Sequence, residues 1–167
     1  LPIIPGAEAY PGQPDKIDKE VPKMGEPYEE IKYKDKLIAI LLRADFQSNQ
    51  VNFFSPADFS QQLGFLPHHE GHVIPAHFHK KVHREITMTQ EVLFIRKGKV
   101  KVNFYTNQKE YITSRELFTG DVVFLCSGGH GFEILEDTEM IEVKQGPYSG
   151  KDGDKVTFKG IEHDPGK

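Results

Sequence analysis

Six of the chain's eight histidines fall between positions 68 and 83, and two of them, His77 and His79, stand one residue apart in PAHFHKKVH. Imidazole nitrogens bind divalent metals and carry protons near neutral pH. In an extended strand residues i and i+2 share a face, so His77 and His79 would project together while Ala76 and Phe78 face the other way. Their Cβ atoms would then stand about 7 Å apart, near enough for both rings to close on one cation. The pair could equally be solvated or hydrogen-bonded histidines, and two ligands do not complete a site. Two more residues extend the set. Glu91 opens EVLFIRKG in alternation with Leu93 and Ile95, and a carboxylate on that apolar parity costs on the order of several kcal/mol unless it is paired or coordinated. His130, in SGGHGFEIL, shares its parity with Phe132 and Ile134 and has glycine on both sides. Three histidines and a carboxylate make a mixed nitrogen and oxygen donor set that suits a first-row divalent ion with positions left open.

The elements that must position these residues read as strands. IKYKDKLIAILLRADF is strand, short turn, strand; VNFF and FSQQLGFL follow, separated by the breaker SPAD, where Ser55-Pro56 could instead start a helical turn. GHVIPAHFH is expected as a strand flanked by Gly71. EVLFIRKGKVKVNFY is two strands joined in a tight hairpin at Lys97-Gly98-Lys99, with glycine where positive φ is needed. EYITSREL, VVFLC, GGHGFEIL and MIEVKQG complete the series, and Lys155 to Phe158 is one further expected strand. No long amphipathic helix is present. Short strands at this spacing with glycine-rich turns indicate an antiparallel sandwich or barrel.

Residues 1–27 are proline-rich without sustained periodicity, and we expect an extended arm. The body is expected over 28–158 and a frayed tail over 159–167. The apolar start LPIIP leaves open that the arm docks on a neighbouring subunit.

With 167 residues the chain suits one domain. Its net charge of −4, with 28% charged residues, gives no electrostatic case for nucleic acid or an anionic membrane. The longest apolar run, LIAILL at 37–42, is far short of the roughly 20 residues of a membrane span. The one cysteine, Cys126, ends a buried run and is expected as a small core residue; it forms no intrachain disulfide and fits a reducing compartment. A cytoplasmic location is the expectation, although a leader before Leu1 would not be visible. His68, His69 and His72 are expected at the surface, and Lys97, Lys99 and Lys101 as solvated hairpin charges. No phosphate-binding glycine loop and no serine triad spacing occurs.

The spacing of these residues resembles the two motifs of the cupin family. Gly71 is followed by five residues and then His77 and His79; Glu91 is followed by six residues and then Gly98. Between the two lie eleven residues, KKVHREITMTQ, where the family has three or four, so Glu85 is an alternative ligand. In the second motif Gly120 precedes DVVFL, Cys126 stands where the family has proline, and His130 follows Gly128 and Gly129, one residue early. The resemblance covers roughly residues 35–146. It implies an all-β, single-domain jelly-roll barrel, here with an extended N-terminal arm. One divalent transition metal (iron, manganese, nickel, zinc or copper) would be held by His77, His79, Glu91 and His130. It also implies a homodimer and a small polar or carbohydrate-like ligand, which His83, Arg84, Glu85 and Gln145 could help to orient. A small metalloenzyme of oxygenase or isomerase type is the leading expectation. A non-catalytic ligand-binding or assembly protein and a metal-free sugar-nucleotide ketoisomerase, with histidine as base, are the alternatives.

Overall fold

The computed structural model of the chain describes residues 27–148 and 150–163. Apart from Pro27, the expected N-terminal arm lies outside the described residues, as does the tail from residue 164.

The expected all-β class is found. β1 (Tyr28–Tyr33) and β2 (Lys36–Leu42) form a hairpin; β3 (Asn52–Phe53) and β4 (Gly64–Phe65) form a short ribbon. β5 (Glu91–Lys97), β6 (Lys99–Tyr105), β7 (Tyr111–Phe118), β8 (Val122–Leu125), β9 (Gly129–Ile134) and β10 (Glu139–Lys144) follow. They assemble into a five-stranded sheet in the order β1-β2-β8-β5-β10 and a three-stranded sheet in the order β7-β6-β9. Every described strand pairing is antiparallel. One helical turn, α1 (Lys151–Asp154), and a 3-10 turn over Ile161–His163 are the helical elements among the described residues. No helix there is long and apolar enough to cross a membrane.

The main core lies between the two larger sheets. Leu93 and Ile95 of β5, Leu41 of β2 and Leu125 of β8 pack against Val100, Val102 and Phe104 of β6. The other face of the five-stranded sheet is also covered: Ile40, Phe124 and Cys126 lie under Tyr28, Phe54, Phe59 and Leu63. That double covering explains LIAILL, because a strand buried on both faces needs apolar residues at consecutive positions.

Polar ties lock the sandwich at one end. Asp121, fully buried before β8, accepts hydrogen bonds from Arg43 Nη1 at 2.9 Å, Ala44 N at 3.0 Å and Phe118 N at 2.9 Å. Arg115 on β7 reaches Glu29 on β1 through Nε and Nη2, joining the edge strands of the two sheets. Gly98 makes the β5–β6 turn at φ 86°, as its place in the sequence predicts, and a Cβ there would stand 2.2 Å from Asp137 O.

Three expectations are corrected. The strand over GHVIPAHFH does not form: no strand occurs between Phe65 and Glu91, and residues 70–89 are exposed throughout. This stretch carries a proline at position 75 and has no partner strand for its backbone. The strand expected at Lys155 to Phe158 is also absent. Conversely, residues 159–163, expected to fray, are held against β6: Ile161 N donates to Tyr105 Oη at 2.9 Å, and Tyr105 Oη donates to Glu162 Oε2 at 2.5 Å.

Candidate functional site

Glu91 is the first residue of β5 and shares its inward face with Leu93 and Ile95. Its register partners are Leu125 on β8 and Lys144 on β10. His130 is paired with Phe104 on β6, which fixes it on the inward face of the other sheet beside Phe132. The two side chains meet across the gap between the sheets, His130 Nε2 to Glu91 Oε2 at 3.3 Å, with 31% and 17% of their surface exposed.

They meet at the wall of a cavity of about 710 Å³. Leu93, Phe132 and Met140 give it apolar surface, while Glu142 and Lys144 of β10 give it charge. Lys144 Nζ lies 2.8 Å from Glu142 Oε1 and 3.7 Å from Glu91 Oε1. The contact with His130 pulls the Glu91 carboxyl below its usual range, burial pushes the other way, and the charges of His130, Lys144 and Lys155 add to the lowering. Glu91 is therefore an anion at neutral pH, ready to accept a proton or a cation.

The separation of the two donor atoms bears on metal binding. Ligands to one first-row cation at about 2.0–2.2 Å stand about 3 to 3.5 Å from each other. The Oε2–Nε2 distance of 3.3 Å falls in that range and is long for a charge-assisted hydrogen bond, typically about 2.7–2.9 Å. Glu91 and His130 thus fit as two neighbouring ligands. They do not suffice alone, and no group of three or more potential ligands is assembled among the described residues.

The other two expected ligands lie on the exposed segment before β5. The rings of His77 and His79 are neighbours, with centroids 5.3 Å apart at 75°. His77 Nδ1 lies 2.9 Å from Pro75 O; a carbonyl can only accept, so Nδ1 carries the proton. That contact leaves Nε2 as the ring nitrogen placed to bind a metal. The structure thus brings together Glu91 with His130 and His77 with His79, but not the two pairs. The two pairs stay apart because the strand that would have carried His77 and His79 inward is missing.

The remaining candidates divide. His83, Arg84 and Glu85 are exposed on the same segment and do not line the cavity. Gln145 is not a cavity residue: its Oε1 accepts from Gln90 N at 2.7 Å and its Nε2 donates to Ser60 Oγ at 3.2 Å, anchoring the start of β5. Cys126 is buried, as expected, and burial pushes its thiol up to about 12. Residues not foreseen are Met140, Glu142 and Lys144 of β10 and the stretch 154–158, all lining the cavity. In MIEVK the alternation separates Ile141 and Val143 from Glu142 and Lys144, but it does not say that the charged side faces in.

Compared with family models, curated proteins and solved structures, the chain matches none.

Proposed function

We propose that the chain is a metal-binding protein of the cupin type, a small metalloenzyme that takes a small polar or carbohydrate-like molecule into the cavity between its sheets. The observation that carries this reading is the 3.3 Å approach of Glu91 and His130 from opposite sheets. Both residues stand on rigid strands, so they form a fixed half-site. His77 and His79 supply the other half from the segment that runs directly into β5. That segment exposes large apolar side chains, Phe78 at 86% and Val73 at 77%, and burying each stabilises by about 1.5–3 kcal/mol. Folding it against the open edge of β10 would close the sandwich toward a jelly-roll barrel.

A metal held by these residues would supply a Lewis acid or a site for dioxygen. The chain's own residues do the rest. Phe132, Leu93 and Met140 keep water from one side of the ligand, while Glu142 and Lys144 orient its polar groups. Glu91, Glu142, Asp154 and Glu162 outnumber Lys144 and Lys155 around the cavity, which favours a cation and disfavours a phosphate-bearing ligand.

The Glu91–His130 contact also supports a second reading, metal-free acid–base chemistry with His130 as the base and Glu91 orienting it. The carboxylate excess then argues for an uncharged substrate over a sugar nucleotide. Protection of the exposed segment distinguishes the two. Adding Mn²⁺ or Zn²⁺ to the metal-free chain is expected to slow tryptic cleavage at Lys80 and Lys81 at least tenfold. Unchanged cleavage with no metal retained on desalting favours the metal-free reading. Metal uptake without oxygen consumption or turnover across a panel of small polyols makes the protein a binding module.

A second copy of the chain is the partner that fits the exposed apolar stripe of Phe94, Ile141 and Val143 on the outer face at the β10 edge. Sedimentation of the full chain and of a chain starting at Tyr28 tests both the homodimer and the docking of the arm.

A further inference from the structure

We propose that residues 154–162 are a latched strap that forms one wall of the ligand cavity, with Phe158 and Glu162 as the positioning residues that hold it. Asp154, Lys155, Val156, Thr157 and Phe158 line the cavity together with residues of β5, β9 and β10. From there the chain passes over β9, the edge strand of the three-stranded sheet, to reach β6.

The strap has a built seat. In SGGHGF the glycines at 129 and 131 alternate with His130, so glycine faces one side of β9 and the imidazole faces the other. On the glycine side, a Cβ at position 129 would stand 3.0 Å from the Phe158 ring, and one at position 131 would stand 2.4 Å from Glu162 Oε1. The three atoms nearest to that second Cβ all belong to the Glu162 carboxylate. The glycines leave the space that Phe158 and Glu162 fill.

The latch is polar and partly buried. Glu162 Oε2 accepts from Tyr105 Oη at 2.5 Å and from Asn103 Nδ2 at 3.1 Å, and Ile161 N donates back to Tyr105 Oη. Phe158 meets the Tyr105 ring edge to face, with centroids 5.1 Å apart at 89°. Tyr105 and Asn103 are buried on the outer side of β6, so the strap covers polar side chains that need partners. Two anchors on one face of β6 therefore fix a wall of the cavity on the other side of β9. A ligand entering from this side has to displace the strap or pass beneath it.

Full-length Gly131→Ala and Glu162→Ala variants, in EDTA, test this. The first pushes the carboxylate out of its seat; the second removes it. Trypsin cuts after Lys155 and Lys159 in the strap, and cuts after Lys80 and Lys81 in the exposed segment give an internal reference. The expected result is at least a tenfold rise in strap cleavage relative to the reference in both variants, with no added effect in the double variant. Methyl-labelled methionine reports the cavity: the signals of Met88 and Met140, which line it, are expected to move in both variants. Cleavage ratios within twofold of the parent overturn the latch, and methionine signals that stay in place overturn the cavity wall. Should Gly131→Ala fail to fold, Glu162→Ala decides alone.

Discussion

Glu91 Oε2 and His130 Nε2 stand 3.3 Å apart although the two residues belong to different sheets. Neither strand could bring this about alone: β5 aims Glu91 inward by its alternation with Leu93 and Ile95, and β9 aims His130 inward by its register with Phe104. The contact is therefore a product of the sandwich, and its geometry depends on the core that spaces the sheets.

That spacing is held in part by Asp121 and Arg43. Removing the carboxylate leaves a buried guanidinium without its ion pair and two backbone amides without an acceptor. Asp121→Ala is expected to cost about 3–5 kcal/mol, read as a fall in the urea midpoint at unchanged slope.

On the proposed reading the carboxylate ligand is Glu91 in place of Glu85. Glu91 is half-buried beside His130, whereas Glu85 is exposed on the segment that carries His77 and His79. Glu91→Gln is expected to weaken divalent-metal binding roughly tenfold or more, and Glu85→Gln by less than threefold, by calorimetric titration. The reverse ranking would assign the ligand to Glu85.

The sequence makes Glu91 and His130 legible because strand alternation is a short-range property and both lie in strands with apolar neighbours on one parity. β1, β2 and β5 to β10 follow from the same pattern. The segment around His77 and His79 misleads: GHVIPAHFH alternates well enough for a strand, but a strand also needs a partner edge, which no local pattern reports. The strap was hidden for a related reason. KVTF suggests a strand, whereas the seat of KVTFKGIEH depends on the space left by Gly129 and Gly131, some thirty residues away. Lys144 and Glu142 were unreadable as cavity residues because an alternating strand at an open edge can turn either face inward.

Alkaline pH probes the strap's anchor. Burial, and then the hydrogen bond to Glu162, push the Tyr105 hydroxyl up to about 12 from an ordinary value of about 10. A folded-state value above the unfolded one stabilises fully below about pH 10, and that contribution is lost as pH rises through about 12. Stability of the parent chain is expected to fall across that window, and Tyr105→Phe to fall less. Tyr28 is raised too, by burial and by Glu30, so the comparison is parent minus variant.

Cys126 should behave as a core residue. With its thiol pushed up to about 12 and its surface buried, reaction with an aromatic disulfide reagent at pH 8 is expected to be about a hundredfold slower than in urea. Rapid labelling of the native chain would contradict the packing of the second core.

The central claim is that one divalent ion joins Glu91 and His130 to His77 and His79. Its most direct test is the metal-to-protein ratio after loading and desalting, measured by elemental analysis on the full chain, on His130→Ala and on the His77→Ala/His79→Ala double variant. The account predicts close to one ion per parent chain and loss of at least half of it in each variant. Full occupancy in the double variant, or no retained metal in the parent chain, would contradict it.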